Sequence, residues 1–196
     1  MTRLLLASKS AARRRMLEAA GVPFQTVDAD VDEEALKAQL AHLDARALAQ
    51  GLADAKALAA QAAPEAMVLG SDQTLELEDG TMLSKAASSE ELADQLRRMS
   101  GRAHHLHSAA AVGRGSKIVW RGAESVRMTM RALSEDFIGT YLEAEFEEVR
   151  WSVGGYHVEG RGVQLFDRIE GSHFAVLGMP LLPLLTFLRE REILAS

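Results

Sequence analysis

The sequence predicts an α/β protein built on a mixed β-sheet, and three observations carry that reading. Short apolar runs of strand length alternate with segments of helical period along the whole chain. Candidate helices open on residues that cap well, at Ser10, Asp44, Ser88 and Ser134. Hairpin signals at Asp79-Gly80 and at Gly113-Arg114-Gly115-Ser116 place antiparallel pairs in the middle of the chain, where a purely parallel sheet has none.

Taken in order, residues 3–7 read as a short buried strand and 8–12 as a turn. Residues 11–20 follow as a helix closed by Gly21 and Val22-Pro23. Residues 24–27 make a second strand. The acidic stretch Asp28, Asp30, Asp32, Glu33 and Glu34 then enters a helix near Ala35. Residues 43–63 form a long Ala- and Leu-rich helix stopped by Pro64, with Leu48, Leu52 and Leu58 as its core-facing side. Residues 67–70 are an apolar strand ending in Ser71-Asp72, and 74–83 alternate as a hairpin. Ser88-Ser89-Glu90-Glu91 opens a helix in the manner of a capping box, running to Met99. Two long strands, 104–112 and 117–131, precede a helix to about residue 145. A Gly-rich irregular stretch, a strand over 163–166 and a terminal helix over 180–192 complete the chain, with Pro183 in that helix's first turn. Met128, Met130 and Met179 read as core or edge residues.

Composition narrows the function. The 196 residues are 47% hydrophobic and 26% charged, a globular balance that reads as one domain over residues 1–196. There is no cysteine, which removes disulfide scaffolds, thiol nucleophiles and cysteine-ligated metals. The formal net charge of −6 argues against a generic nucleic-acid binder and directs attention to local clusters of Lys and Arg. No apolar run reaches membrane-spanning length, and residues 4–7 are too short for a signal-peptide core, so a cytoplasmic chain with no membrane partner is expected. The GxxxxGK[ST], GxGxxG, HExxH and GxSxG patterns are all absent.

Four constellations remain. Ala7-Ser8-Lys9-Ser10 with Arg13, Arg14 and Arg15 combines hydroxyls and cations at a strand-to-helix turn, where backbone N–H groups favour anions. A capped amphipathic helix with solvated arginines accounts for the same residues. Gly70-Ser71-Asp72-Gln73 puts a carboxylate at a strand's end, suited to a divalent cation, to activating a water, or to a plain turn. Asp32-Glu33 with Lys56 and Lys85 has the residue types that phosphoryl chemistry needs, although spacing alone does not bring them together. His104-His105-Leu106-His107 places His105 and His107 on one strand face and His104 on the other, with no third ligand to make a metal site.

In this order, the motifs resemble the Maf family of nucleoside triphosphate pyrophosphatases over roughly residues 4–190. Leu6-Ala7-Ser8-Lys9-Ser10-Ala11-Ala12-Arg13 is similar to the family's L-A-S-x-S-P-R-R, with Ala11 and Ala12 in place of Pro and the first Arg. Gly21-Val22-Pro23-Phe24 and Asp32-Glu33 fall at matching distances, and Leu52-Ala53-Asp54-Ala55-Lys56-Ala57 resembles L-A-x-x-K-A. Gly70-Ser71-Asp72-Gln73 matches G-[AS]-D-[TQ], and Ser84-Lys85-Ala86 stands at G-K-P. Ser100-Gly101-Arg102-Ala103-His104 matches S-G-R-x-H, and Glu159-Gly160 matches [QE]-G. Ile169-Glu170-Gly171 and Leu177-Gly178-Met179-Pro180-Leu181 match the closing signature, where Ala175 replaces an Asn. Trp151-Ser152-Val153-Gly154 departs from the D-K-A-G of many members, so an acid and a lysine are missing.

The resemblance implies an elongated mixed sheet flanked by helices around a central cleft, like that of the inosine-triphosphate pyrophosphatases, and a possible homodimer. It implies hydrolysis of a nucleoside triphosphate to monophosphate and pyrophosphate with a divalent cation, Mg²⁺ or Mn²⁺. Ser8, Ser10 and Arg13 would cradle phosphates, and Lys56 and Lys85 would offset phosphate charge. Asp72, with Glu33, would hold the cation and activate water, while Glu159 would lie near base or ribose or join the metal shell. Gln73 and Val158-Glu159-Gly160 look like the family branch that prefers 7-methyl-GTP. A narrower house-cleaning pyrophosphatase, and a catalytically weak nucleotide-binding regulator of septum formation, are the alternative readings.

Overall fold

The computed structural model describes residues 4–60 and 62–195; Arg3, expected at the start of the first strand, lies outside the described residues. Strand β1 (Leu4–Ala7) is almost wholly buried and feeds helix α1 (Ala11–Ala19) through a three-residue turn. Ser10 caps α1 as expected, its hydroxyl accepting the Arg13 N–H. Gly21, at φ 66°, closes the helix in the left-handed conformation that glycine adopts at no steric cost. Strand β2 (Gln25–Thr26) is shorter than the sequence suggests, and both its residues are exposed. Helices α2 (Glu33–Gln39) and α3 (Ala45–Ala59) follow, capped by Asp32 and Asp44.

Strand β3 (Met67–Leu77) corrects two expectations at once. The apolar run 67–70 and the first arm of the hairpin are one eleven-residue strand, so Ser71-Asp72 lies in mid-strand and not at an end. Ser71, Asp72 and Gln73 are tolerated there because each finds a partner, as described below. Strand β4 (Met82–Leu83) folds back on β3 through Gly80, at φ 81°. Helix α4 (Ser89–Met99) carries the expected Ser88 cap, while Glu91 reaches back to the Ala87 N–H. Strands β5 (Ala103–Arg114) and β6 (Lys117–Met130) and helix α5 (Glu135–Val149) come next. The expected strand over 163–166 is instead a 3₁₀ turn (Arg161–Leu165), with strand β7 displaced to Phe166–Glu170. Helices α6 (His173–Val176) and α7 (Leu181–Glu190) end the fold.

The sheet order is β2-β1-β3-β5-β6-β7, with β4 attached to β3. β1 pairs in parallel with β2 and β3, while β3–β4 and β6–β7 are antiparallel, so the sheet is mixed. By its contacts the chain forms two compact units, residues 1–73, 107–124 and 172–196 in the first and 74–106 and 125–171 in the second.

In the first unit the sheet has a different cover on each face. Leu4, Leu6, Met67, Leu69, Ala110 and Val112 pack with residues of α1 and α7. On the opposite face Ala109 and Ala111 meet Ala49, Ala53 and Ala57 of α3. This second seam is made of small residues. A Cβ added at Gly70 would lie 2.2 Å from the Ala53 carbonyl, and one at Gly113 would lie 2.6 Å from the Ala57 carbonyl. The alanines of α3 are therefore what lets helix backbone touch sheet backbone. Leu48 and Leu52 are buried as expected, whereas Leu58 is 42% exposed, because the narrow seam of alanines defines the buried stripe and Leu58 falls outside it.

The second unit is closed by a buried polar cluster. His104, fully inaccessible, faces inward, and its Nε2 lies 2.7 Å from the Tyr156 hydroxyl. Tyr156 packs edge-on against Phe166 at 4.8 Å, and His104 lies 5.9 Å from the same ring. Among the described residues Nδ1 of His104 has no hydrogen-bond partner, and burial pushes the imidazole down to about pKa 4. The Tyr141 hydroxyl donates to the Gly155 carbonyl, pinning the loop that carries Trp151. Burial raises both tyrosine hydroxyls well above their usual range.

Candidate active site

The alternation of β3 sorts its polar residues to opposite faces. Gly70 and Asp72 point to the α3 face. Ser71 and Gln73 point to the other, toward the turn that joins α6 to α7. Because Gly70 brings α3 against the strand, Lys56 reaches Asp72: Nζ lies 3.2 Å from Asp72 Oδ2 and 2.8 Å from Glu33 Oε1. The lysine and Asp72 side chains are 12% and 15% exposed, and Glu33, at the first turn of α2, is 42% exposed. Asp72 Oδ1 also accepts its neighbour's N–H, that of Gln73, at 2.8 Å. Residues 33, 56 and 72, distant in sequence, thus share one ammonium group.

Arg13 belongs to the same neighbourhood. It sits in the first turn of α1, which starts where β1 ends beside Gly70. Its guanidinium is buried, with Nε donating to the Gly178 carbonyl at 2.9 Å and Nη1 to the Ser8 hydroxyl at 3.3 Å. Burial lowers its pKa, and the negative charges of Asp72 and Glu33 act in the opposite sense. Ser8 Oγ also accepts the Ser10 N–H. Arg14 and Arg15, the other cations of that turn, are both exposed.

Ser71 and Gln73 are engaged with the protein. Ser71 Oγ bonds to the Ala109 and Gly178 carbonyls, and Gln73 Nε2 to Ser108 Oγ and the Ala175 and Val176 carbonyls. Ser108 in turn donates to Ala175 at 2.6 Å. Sequence reasoning missed this clamp on the 175–178 turn, although the residues that build it lie inside the quoted motifs. Lys85 and Glu159 belong to the second unit, where both are exposed. Ser152, at the departing motif, bonds His157 Nε2 at 2.7 Å, and Arg150 lies over the exposed Trp151 ring. A cavity of about 610 Å³ between α4 and α5 and one of about 400 Å³ beside Asp44 and Arg121 contain none of the sequence-predicted residues.

Among the described residues no group of three His, Asp or Glu side chains converges as a metal site. Glu33 and Asp72 are nevertheless a suitable pair for a hard divalent cation such as Mg²⁺, which takes one or two protein carboxylates and completes its shell with water and phosphate oxygens.

Two carboxylates and two cations, brought together by α2, α3 and the middle of β3 beside the N-terminus of α1, are the equipment of a protein that handles a phosphate-bearing ligand. Comparison with known proteins identifies which. The chain belongs to the Maf family: the family model described as Maf-like protein matches residues 3–191. A relative from Sphingopyxis alaskensis, named nucleoside triphosphate pyrophosphatase, is 49% identical over 189 residues, 95% of this chain and 96% of that protein. Nucleoside triphosphate pyrophosphatase 1 of Jannaschia sp. is 45% identical over all of both chains. A protein of Caulobacter vibrioides with the same general name is 43% identical over 96% of each.

Proposed function

We propose that this protein is a nucleoside triphosphate pyrophosphatase, hydrolysing the bond between the α and β phosphates to give a nucleoside monophosphate and pyrophosphate. The observation that carries the reading is Lys56 held between Glu33 and Asp72 beside a buried arginine, in a chain whose family relatives bear that enzymatic name.

Each group has a task in that chemistry. Cleaving a phosphoanhydride builds negative charge on the leaving phosphate, and a fixed arginine and lysine lower the energy of that charge in a partly desolvated site. Ser8, Ser10 and the start of α1 supply hydroxyls and a positive dipole end for phosphate oxygens. Asp72 accepts the proton of the attacking water. Glu33 and Asp72 would hold the divalent cation, which supplies neutralisation of phosphate charge and a more acidic water when bound. Lys85 and Glu159 carry no step in this scheme. The Gln73 amide nitrogen, spent on Ser108, Ala175 and Val176, supplies no argument for a particular base.

The test is incubation with Mg²⁺ or Mn²⁺ and a panel of dTTP, UTP, CTP and 7-methyl-GTP, with both products identified. Monophosphate and pyrophosphate in equal amounts are expected. Nucleoside diphosphate with orthophosphate would overturn the bond assignment. Turnover confined to 7-methyl-GTP would select the house-cleaning form of the enzyme.

A further inference from the structure

Arg13 is a charged group with little water around it, and what fixes it is a backbone carbonyl. Of its donors, Nε is tied to Gly178 O and Nη1 to Ser8, while Nη2 has no hydrogen-bond partner among the described residues. The Gly178 carbonyl is doubly occupied, since Ser71 Oγ donates to it at 3.0 Å. That carbonyl is therefore held from the β3 side while it holds the guanidinium from the α1 side.

Gly178 also clears the space in which the guanidinium lies. Its φ of 101° is one that residues with a Cβ rarely adopt. A Cβ there would sit 3.2 Å from Arg13 Nη2 and 3.3 Å from Nε. The neighbouring carbonyls of Ala175 and Val176 are anchored by Gln73 and Ser108, so the turn has little freedom to move away.

We infer that Gly178 is a positioning residue: its carbonyl and its missing side chain together aim the free edge of the Arg13 guanidinium at the phosphates of the substrate. The inference rests on the proposed reading of Arg13 as a phosphate-binding group. It goes further by placing the control of that arginine 165 residues away, in the α6–α7 turn. A guanidinium aimed this way offers a fixed fork to the phosphate oxygens, which a mobile one does not.

The experiment is a double-mutant cycle on Gly178→Ala and Arg13→Lys, read by equilibrium binding of inorganic triphosphate with Mg²⁺ and by kcat/KM for pyrophosphate release. Thermal melts accompany each variant. Gly178→Ala is expected to weaken triphosphate binding and kcat/KM by about tenfold in the wild-type background. In the Arg13→Lys background, where Nε is gone, the same change is expected to cost less than about twofold. Equal losses in both backgrounds would show that Gly178 acts independently of Arg13 and would overturn the inference. Ser71→Ala keeps the fold's small residue and frees one lone pair of the carbonyl. Its expected loss is about threefold in binding, beside a Tm lowered by a few degrees for the buried hydrogen bonds removed, and no loss of binding in the folded variant would count against the carbonyl's part should Gly178→Ala fail to fold. Wild-type protein that binds triphosphate but releases no pyrophosphate would overturn the enzymatic reading and leave the Gly178–Arg13 coupling to be decided by the binding data. Wild-type protein that binds no triphosphate would overturn both.

Discussion

Acidification from pH 7 to pH 5 is expected to cost the fold about 2 kcal/mol through His104 alone. The imidazole is fully buried, one nitrogen bonded to Tyr156 and the other without a hydrogen-bond partner among the described residues, so its protonated form would leave an N–H unsatisfied. Its pKa falls from the usual 6.5 to about 4, chiefly by burial, with the neighbouring His105 adding to the effect. The unfolded chain therefore binds the proton more readily than the folded one. Stability is whole above pH 6.5 and is lost as pH drops toward 4, where the penalty reaches about 3 kcal/mol. For a chain of this size, 2 kcal/mol corresponds to about 4–8 °C in Tm. Carboxylates also titrate in this range, so the measurement is a comparison: Tm between pH 7 and 5 for wild type and for His104→Gln, which keeps a polar partner for Tyr156. The wild-type profile should fall more steeply, by about 4–8 °C over the interval. Parallel profiles would refute the assignment of this pH dependence to His104.

Asp72→Asn should lower kcat/KM for pyrophosphate release by about 10²-fold or more without lowering Tm, since the amide preserves the side chain's shape; undiminished turnover would remove Asp72 from the role of base. Lys56→Met should reduce kcat/KM by about 10²-fold through lost charge on the phosphate oxygens, measured by the same assay with Arg13 intact. Gly70→Ala is expected to be among the most damaging single changes, at about 3 kcal/mol or more in a denaturant titration, because the new methyl meets helix backbone. Gly80→Ala is its control: the turn offers open space, so only the backbone penalty at φ 81° applies, about 1 kcal/mol in the same titration.

The helix starts were readable because capping is local chemistry. Ser10, Asp44, Ser88 and Ser134 announce helices that the structure contains. The hairpin around Asp79-Gly80 was equally local. What escaped was anything set by distant partners. Ser71, Asp72 and Gln73 looked like the end of a strand because they are polar. They continue the strand because Ala109, Gly178, Lys56 and Ser108 satisfy them. The strand expected at 163–166 begins only at Phe166, since residues 161–165 turn as a 3₁₀ segment. The types of residue at the candidate site were legible, and their meeting was not. That Glu33, Asp72 and Lys56 touch depends on how near α3 approaches the sheet, and no spacing rule reports that distance.

The seam of alanines and glycines between α3 and the sheet has a cost as well as a use. Small side chains bury little apolar area each, so this contact contributes less cohesion per residue than the leucine-rich face across the sheet. The helix that carries Lys56 is thus fastened by closeness more than by bulk. An occupied site would add the missing fastening through Lys56, and amide hydrogen exchange should slow along the whole of α3 when triphosphate is bound, including the turns remote from Lys56.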